Sequence, residues 1–234
     1  MHIKNSVVLV TGANRGLGQA FVNALLAAGA AKVYAAARDP ASITLKGVEP
    51  LKLDVTNPAD VAAAAASCAD VSLLINNAGI ARGSPFMVAH SADAARAELE
   101  TNFFGPLAMA QAFAPVLSAN GGGAIVNVLS VLSWINLNGA ATYSASKSAA
   151  WSLTNGLRNE LRSQGTQVVG VHVGFMDTDM TRDVPGPKTS PADVVRQTLE
   201  ALEAGREEVL ADELTCQVKQ GLSAEHGIYL GEAA

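Results

Sequence analysis

Short runs of consecutive apolar residues alternate along this chain with longer stretches whose apolar positions recur at helical spacing. The runs predict strands at 7–10, 32–36, 49–53, 71–75, 124–129, 167–173 and 208–210. Most show no polar alternation, as expected of parallel strands buried on both faces. Between them the spacing predicts helices at 17–28, 58–68, 92–118, 141–163 and 191–203, and a last helix at 212–222. Pro58 and Pro191 stand at first-turn positions, each behind a side chain able to cap, Asn57 and Ser190. Alternation of strand and helix over the whole length predicts a single doubly wound α/β domain, residues 1–234, with a parallel sheet. No linker divides it, and the alanines at 62–66 are a helix-favouring patch rather than part of a repeat.

Composition narrows the function classes. With 234 residues, 49% of them hydrophobic, the chain can bury a substantial core. A net charge of −5 and a pI near 5.3 argue against a nucleic-acid surface. Cys68 and Cys216 are far apart and form no Cys-x-x-Cys pair, which fits a reducing compartment. The apolar run near the start ends at Thr11-Gly12, short of the roughly seven to fifteen residues of a signal-peptide core. No stretch approaches the roughly 18 apolar residues of a membrane span. The expectation is a soluble cytoplasmic protein with no nucleic-acid or membrane partner.

Chemistry enters at "VTGANRGLG", residues 10–18, between the first strand and the first helix. Gly12, Gly16 and Gly18 permit a tight turn and close backbone approach to a pyrophosphate, with Asn14, Arg15 and Leu17 between them. The helix start then offers free N–H groups and a positive dipole end. A glycine trio can merely join strand to helix; the strand before and the helix after are what favour a dinucleotide. A carboxylate about 20 residues further on would favour NAD. Arg38, in "YAAARD", holds that position, and an arginine can pair with a 2′-phosphate. With Arg15 it predicts NADP(H) over NAD(H); the alternative is that Asp39 reads the ribose. Asp54, beside Val55 at the end of the third strand, can accept from an adenine amine or simply form a turn. Asn76-Asn77-Ala78-Gly79 closes the fourth strand, where amides can bridge strand ends and leave the glycine backbone open.

A second group of residues suits carbonyl chemistry. "TYSASKSAAW" sets Tyr143 and Lys147 four apart, on one helical face, among small neighbours that let ligands approach. A phenol with the usual pKa of about 10 is protonated at neutral pH and can act as an acid, and a nearby ammonium favours its phenolate. Ser130 ends the fifth strand 13 residues before Tyr143, and Ser133 competes with it. Asn102, in "LETNFFGP", has poor helix propensity and marks a kink near Gly105-Pro106. Plain packing would also explain a tyrosine on an alanine-rich helix.

In this order and spacing, Thr11-Gly12-x-x-x-Gly16-x-Gly18, Asp54, Asn76-Asn77-Ala78-Gly79, Asn102, Ser130, Tyr143-x-x-x-Lys147, Gly174 and Thr178 resemble the short-chain dehydrogenases/reductases over about residues 5–210. The resemblance implies a seven-stranded Rossmann-like sheet and a nicotinamide cofactor across the strand C-termini. It also implies that Asn102 kinks a helix and holds a water, Ser130 binds the substrate oxygen, Tyr143 transfers the proton, and Lys147 holds the ribose. Gly174 and Thr178 would lie against the nicotinamide. Val173 stands where the family usually has proline. The Pro/Gly-rich segment near 179–190 falls where the family places a substrate lid. Trp134, Phe175, Met176 and Met180 are candidate pocket walls or core residues, and Arg82 is expected to face solvent. No metal site is assigned. The expected activity is NADPH-dependent reduction of a small-to-medium apolar ketone or aldehyde. The alternatives are a reductase of 3-oxoacyl thioesters and a non-catalytic NADP(H)-binding regulator. Apolar helices around Asn102 and Tyr143 suggest a homodimer or homotetramer.

Overall fold

The computed structural model describes residues 1–231. Seven strands form one parallel sheet: β1 (Val7–Thr11), β2 (Lys32–Ala37), β3 (Glu49–Lys52), β4 (Leu73–Asn76), β5 (Ala124–Val128), β6 (Gln167–His172) and β7 (Glu208–Leu210). They lie in the order β3-β2-β1-β4-β5-β6-β7. The order reverses between β1 and β4, which opens a crevice beyond their C-terminal ends, where ligands bind in sheets of this kind.

Helices α1 (Gly16–Ala27) and α6 (Pro191–Glu203) cover one face of the sheet, and α2 (Pro58–Ser67), α4 (Gly105–Ala119) and α5 (Ala141–Glu160) cover the other. The alternation of β1 shows the division: Val8 and Val10 pack toward α1 and α6, Leu9 toward α2 and α4. Phe21 and Phe113 are fully buried, one on each face. Truncating either to alanine would cost about 3–5 kcal/mol. The last helix, α7 (Glu213–Gly221), packs by β7 and encloses a small third cluster around Val131, Trp134 and Val218.

The predicted helix at 92–118 is divided. It runs as α3 (Ser91–Leu99), a π-helical turn (Glu100–Phe104) and then α4. Such turns mark functional sites, and this one holds Asn102. Helix starts differ as well. Asn57, Ser190 and Asp212 cap α2, α6 and α7 with side-chain oxygens, whereas Arg15 gives α1 no side-chain cap. The first N–H groups of α1 are left for another acceptor.

Candidate active site

The glycine loop is bolted to the end of β4. Thr11 Oγ1 accepts the backbone N–H groups of Asn77 (3.0 Å) and Ala78 (2.9 Å). Asn77 Nδ2 donates to Thr11 O (2.8 Å) and Gly12 O (3.1 Å). Gly12 has φ +63°, and a Cβ on it would sit 3.0 Å from Ala78 Cα. A Cβ on Gly18 would fall 2.2 Å from Gly12 O. These two glycines are therefore demanded by protein packing, before any ligand is considered. The Asn77 amide bridges the ends of β1 and β4, and Asn76 Nδ2 bridges to Asn127 Oδ1 on β5 (2.9 Å).

Around this loop the residues suit a dinucleotide. Asn14 is half-buried, and the Leu17 side chain belongs to the core, so only its backbone can meet a ligand. Arg38 is exposed at the end of β2. Asp39 is engaged locally: its Oδ1 accepts from Ala41 N at 3.0 Å and its carbonyl from Ser42 Oγ. Its Oδ2 is not engaged among the described residues, and Arg38 and Asp39 both stay exposed at the end of β2. Asp54 Oδ1 accepts from Thr56 N (2.9 Å) and Thr56 Oγ1 (2.8 Å), so the turn role operates and its other oxygen remains for a ligand. Val55 is buried against Gly105. Arg15 is exposed but is paired with Asp179, a contact the sequence did not announce.

The π turn, α5 and the segment after β5 carry the candidate catalytic groups. Lys147 is buried, and its Nζ donates to Val128 O (2.8 Å) and lies 5.7 Å from the Tyr143 ring centroid. Asn102, 2% exposed, spends both N–H groups on Ile80 O and Ser146 Oγ (2.9 Å each), and its Oδ1 accepts from Ile80 N (2.9 Å). It thus locks the end of β4 to α5, and a water near it must meet the backbone of the π turn or donate to Oδ1. A Cβ on Gly79 would lie 3.2 Å from Asn102 Oδ1 and 3.8 Å from Lys147 Nζ, so this glycine keeps the floor of the crevice open. Ser133 is turned inward, its Oγ accepting from Ser130 N (3.3 Å), whereas Ser130 Oγ accepts from Leu132 N (3.1 Å) and is close enough to the Tyr143 phenol to influence its ionisation. The two serines thus have different surroundings, and Ser130 is the one beside the phenol.

Burial dominates the electrostatics. It pushes the Tyr143 phenol up to about 12; the Ser130 hydroxyl pulls the other way, and the Glu98 carboxylate adds to the rise. Burial also pushes the Lys147 ammonium down to about 8. Charged forms lose solvation in such a site, so the resting pair is a neutral phenol beside an ammonium that gives up its proton easily.

Several residues here escaped the sequence reading. Glu98 is fully buried; its Oε1 accepts from Arg82 N (2.7 Å) and Gly83 N (3.0 Å), and its Oε2 has no hydrogen-bond partner. It fastens the loop after β4, which also pairs with α5 through Ser84 N to Thr142 Oγ1 (3.2 Å) and Thr142 N to Ser84 O (3.1 Å). The available signal was its spacing of four from Asn102, on the same helical face. Asp212 Oδ2 accepts from Gly174 N (2.7 Å) and Thr189 Oγ1 (3.2 Å), while its Oδ1 caps α7 through Thr215 N (2.8 Å).

After β6, Met176 and Thr189 form a parallel bridge that closes the base of the 178–188 loop. Thr178 lies near Gly16, and Met180 is 54% exposed. Phe175 is half-buried, Arg82 faces solvent, and Met176 packs against the core. Trp134 is 9% exposed and stacks on His172, so of its two expected roles the structure favours the core one. Val173, in the family's proline position, is a buried core residue. Among the described residues no helix is long and apolar enough to cross a membrane, and no three His, Cys, Asp or Glu converge on a metal position.

Comparison with known proteins agrees with this geometry. The family model described as short chain dehydrogenase matches residues 6–188. The 3-oxoacyl-(acyl-carrier-protein) reductase FabG of Salmonella typhimurium is 30% identical over 191 residues, 78% of each chain. The dehydrogenase/reductase SDR family member 7B of Bos taurus is 32% identical over 77% of this chain, which spans only 61% of that protein's length. A short chain dehydrogenase from Burkholderia cenocepacia, solved with NADP, superposes with TM-score 0.92 at 45% identity, covering 96% of this chain and 95% of the other. The NADPH-bound carbonyl reductase from chicken fatty liver gives TM-score 0.76 at 31% identity, covering 85% and 91%.

Proposed function

The chain belongs to the short-chain dehydrogenase family, and from that premise we propose that it is an NADPH-dependent reductase of small-to-medium apolar ketones or aldehydes, acting reversibly. The observation that carries this reading is the meeting of Ser130, Tyr143 and Lys147 beside an α1 N-terminus that no side chain caps.

In this reading the N–H groups of residues 12–18 hold the pyrophosphate and Arg38, with Arg15, the 2′-phosphate. Asp54 and Val55 meet the adenine. Asn77, Ala78 and Gly79 line the floor of the crevice, Tyr143 and Lys147 take the nicotinamide ribose, and Gly174 and Thr178 take the carboxamide. A preference for NADP(H) over NAD(H) draws support from Arg38 being exposed at the end of β2. It draws further support from the NADP- and NADPH-bound relatives, although a short chain dehydrogenase/reductase from Burkholderia phymatum at 25% identity was solved with NAD. When bound, the nicotinamide supplies the hydride.

The protein's own groups do the rest. Ser130 donates to the carbonyl oxygen and polarises it. As the carbon gains hydride, the oxygen takes the phenol proton of Tyr143. The phenolate left behind is stabilised by the Lys147 ammonium and recovers its proton from solvent. The reverse reaction starts from that phenolate.

Thioester-bound 3-ketones are the second reading, favoured by the FabG relatives at 30–32% identity. An acidic carrier would want a basic entrance, and the net charge of −5 does not supply one overall. A non-catalytic regulator is disfavoured by the complete catalytic set. Exposed Phe104 beside α4 is consistent with a homodimer or homotetramer, and two unpaired cysteines with a reducing cytoplasm. The deciding experiment measures NADPH and NADH oxidation against a panel of ketones, aldehydes and a 3-oxoacyl thioester. Tyr143→Phe should lose about 10²–10⁴-fold in kcat while still binding NADPH. Near-full activity of that variant, or no turnover with any carbonyl, would sink the reading.

A further inference from the structure

After the apolar run 168–171, β6 ends on His172, whose side chain is 1% exposed. Burial pushes the imidazole down to about 4, so at neutral pH it carries a single N–H. Its Nδ1 lies 3.1 Å from Ser130 O. A carbonyl can only accept, so the proton is on Nδ1. Nε2 is left buried without a hydrogen-bond partner, 3.8 Å from Glu208 Oε1. An apolar residue of the same shape would avoid that desolvation cost, so the contact with Ser130 is what the histidine adds.

The ring cannot swing away. Trp134 stacks on it, with centroids 3.8 Å apart and planes at 20°. Trp151 meets Trp134 edge-on, and Lys219 covers Trp134 at 4.9 Å while pairing with Glu208 at 2.9 Å. Around Ser130 the remaining backbone groups are also held. Leu129 N donates to Val171 O (2.8 Å), Val131 N to Val173 O (3.0 Å) and Ser130 N to Ser133 Oγ (3.3 Å). The carbonyl of Ser130 itself accepts from Ser133 N (3.0 Å), and among the described residues His172 supplies the one side-chain donor to it.

We propose that His172 is a positioning residue for the reaction, fixing the Ser130 peptide through its Nδ1–H so that the serine hydroxyl points at the substrate oxygen. This rests on the reading above in which Ser130 binds that oxygen. The brace comes from β6, β7 and α7, so the C-terminal part of the fold sets the geometry of a residue at the end of β5.

The test compares His172→Leu, which cannot donate, with His172→Asn, whose amide can, each alone and in a Ser130→Ala background. Nδ1–H against Nε2–H is read from ¹⁵N NMR of the wild-type protein. His172→Leu should lose roughly tenfold in kcat, within the hundredfold that an ångström of misplacement brings. NADPH affinity should stay within about twofold, and His172→Asn should recover most of the loss. In the Ser130→Ala background, His172→Leu should cost nothing further, because residues acting as a unit are not additive. Additive losses, an unaffected His172→Leu, or an Nε2–H tautomer would overturn the proposal. If His172→Leu does not fold, the tautomer and the His172→Asn kinetics still decide. Full kcat in Ser130→Ala alone would instead remove the role of Ser130, and the proposal with it.

Discussion

Arg15 Nη1 lies 3.1 Å from Asp179 Oδ2, so an ion pair joins the glycine loop to the segment after β6. Asp179 also pairs with Arg182. Both partners are largely exposed, and such pairs add little to stability. This one, however, engages a guanidinium that the proposed cofactor phosphate would use. Asp179→Asn should therefore tighten NADP(H) binding about two- to fivefold and leave NAD(H) unchanged in fluorescence titrations at low salt. Raising the salt to about 1 M should erase the difference. Weaker NADP(H) binding by the variant would mean that Asp179 instead orders Arg15 for the ligand.

Glu98, buried on α3, raises the Tyr143 phenol through its charge. Glu98→Gln keeps an oxygen for Arg82 N and Gly83 N and removes that charge. The pH at which alcohol oxidation accelerates should then fall, because the phenolate forms more readily. Ketone reduction at pH 7 should change by less than about tenfold, since the phenol is protonated in both proteins. An unmoved or upward-shifted oxidation profile would exclude the field effect.

Lys147 has its folded value lowered to about 8 from 10.5. The neutral form is the one the fold prefers, so this group's contribution to stability is complete above pH 10.5 and lost as pH falls through 8. Urea unfolding of the ligand-free protein should show wild type gaining on Lys147→Met between pH 8 and 10, by at most about 1.4 kcal/mol per pH unit. A difference that stays flat across that range would mean the ammonium is not penalised by burial.

Two glycines make a matched pair. Gly18→Ala brings a methyl within 2.2 Å of Gly12 O and 2.6 Å of Asn77 Nδ2. It should cost about 1–3 kcal/mol and abolish cofactor binding. Gly156 lies inside α5 with nothing within 4 Å of the added carbon, so Gly156→Ala should stabilise by about 0.5–1 kcal/mol. Thermal melts with and without NADPH check both, and a benign Gly18→Ala would contradict the bolted loop.

Much of the fold was legible because buried parallel strands are written as unbroken apolar runs. All seven expected strands are present, with ends shifted by up to two residues. The candidate catalytic group was legible because its parts are local: Tyr143 and Lys147 share a helical face, and Ser130 follows β5 by two residues. What stayed hidden depends on contacts between distant segments. The partner of Arg15 is 164 positions away. The burial of Glu98 follows from how α3 packs on α5, and helical spacing does not distinguish a buried carboxylate from a solvated one. Trp134 could be wall or core until its neighbour across the sheet end was known. The π turn was signalled by Asn102 as a kink, but propensity does not specify which way a helix loosens.

The bridge between Met176 and Thr189 gives the loop it encloses a different character from the rest of the chain. Both ends of the loop meet at one point, reinforced by Thr189 N to Phe175 O (2.8 Å) and Asp177 N to Thr189 O (3.0 Å). Residues 179–188 therefore form a cassette held at its base and tied by Asp179 to Arg15 of the glycine loop. Lengthening such a loop is cheap, since each doubling costs only about 0.6 kcal/mol in closure entropy. Under the proposed lid role, exchanging the cassette would change which molecules enter while Ser130, Tyr143 and Lys147 keep their places.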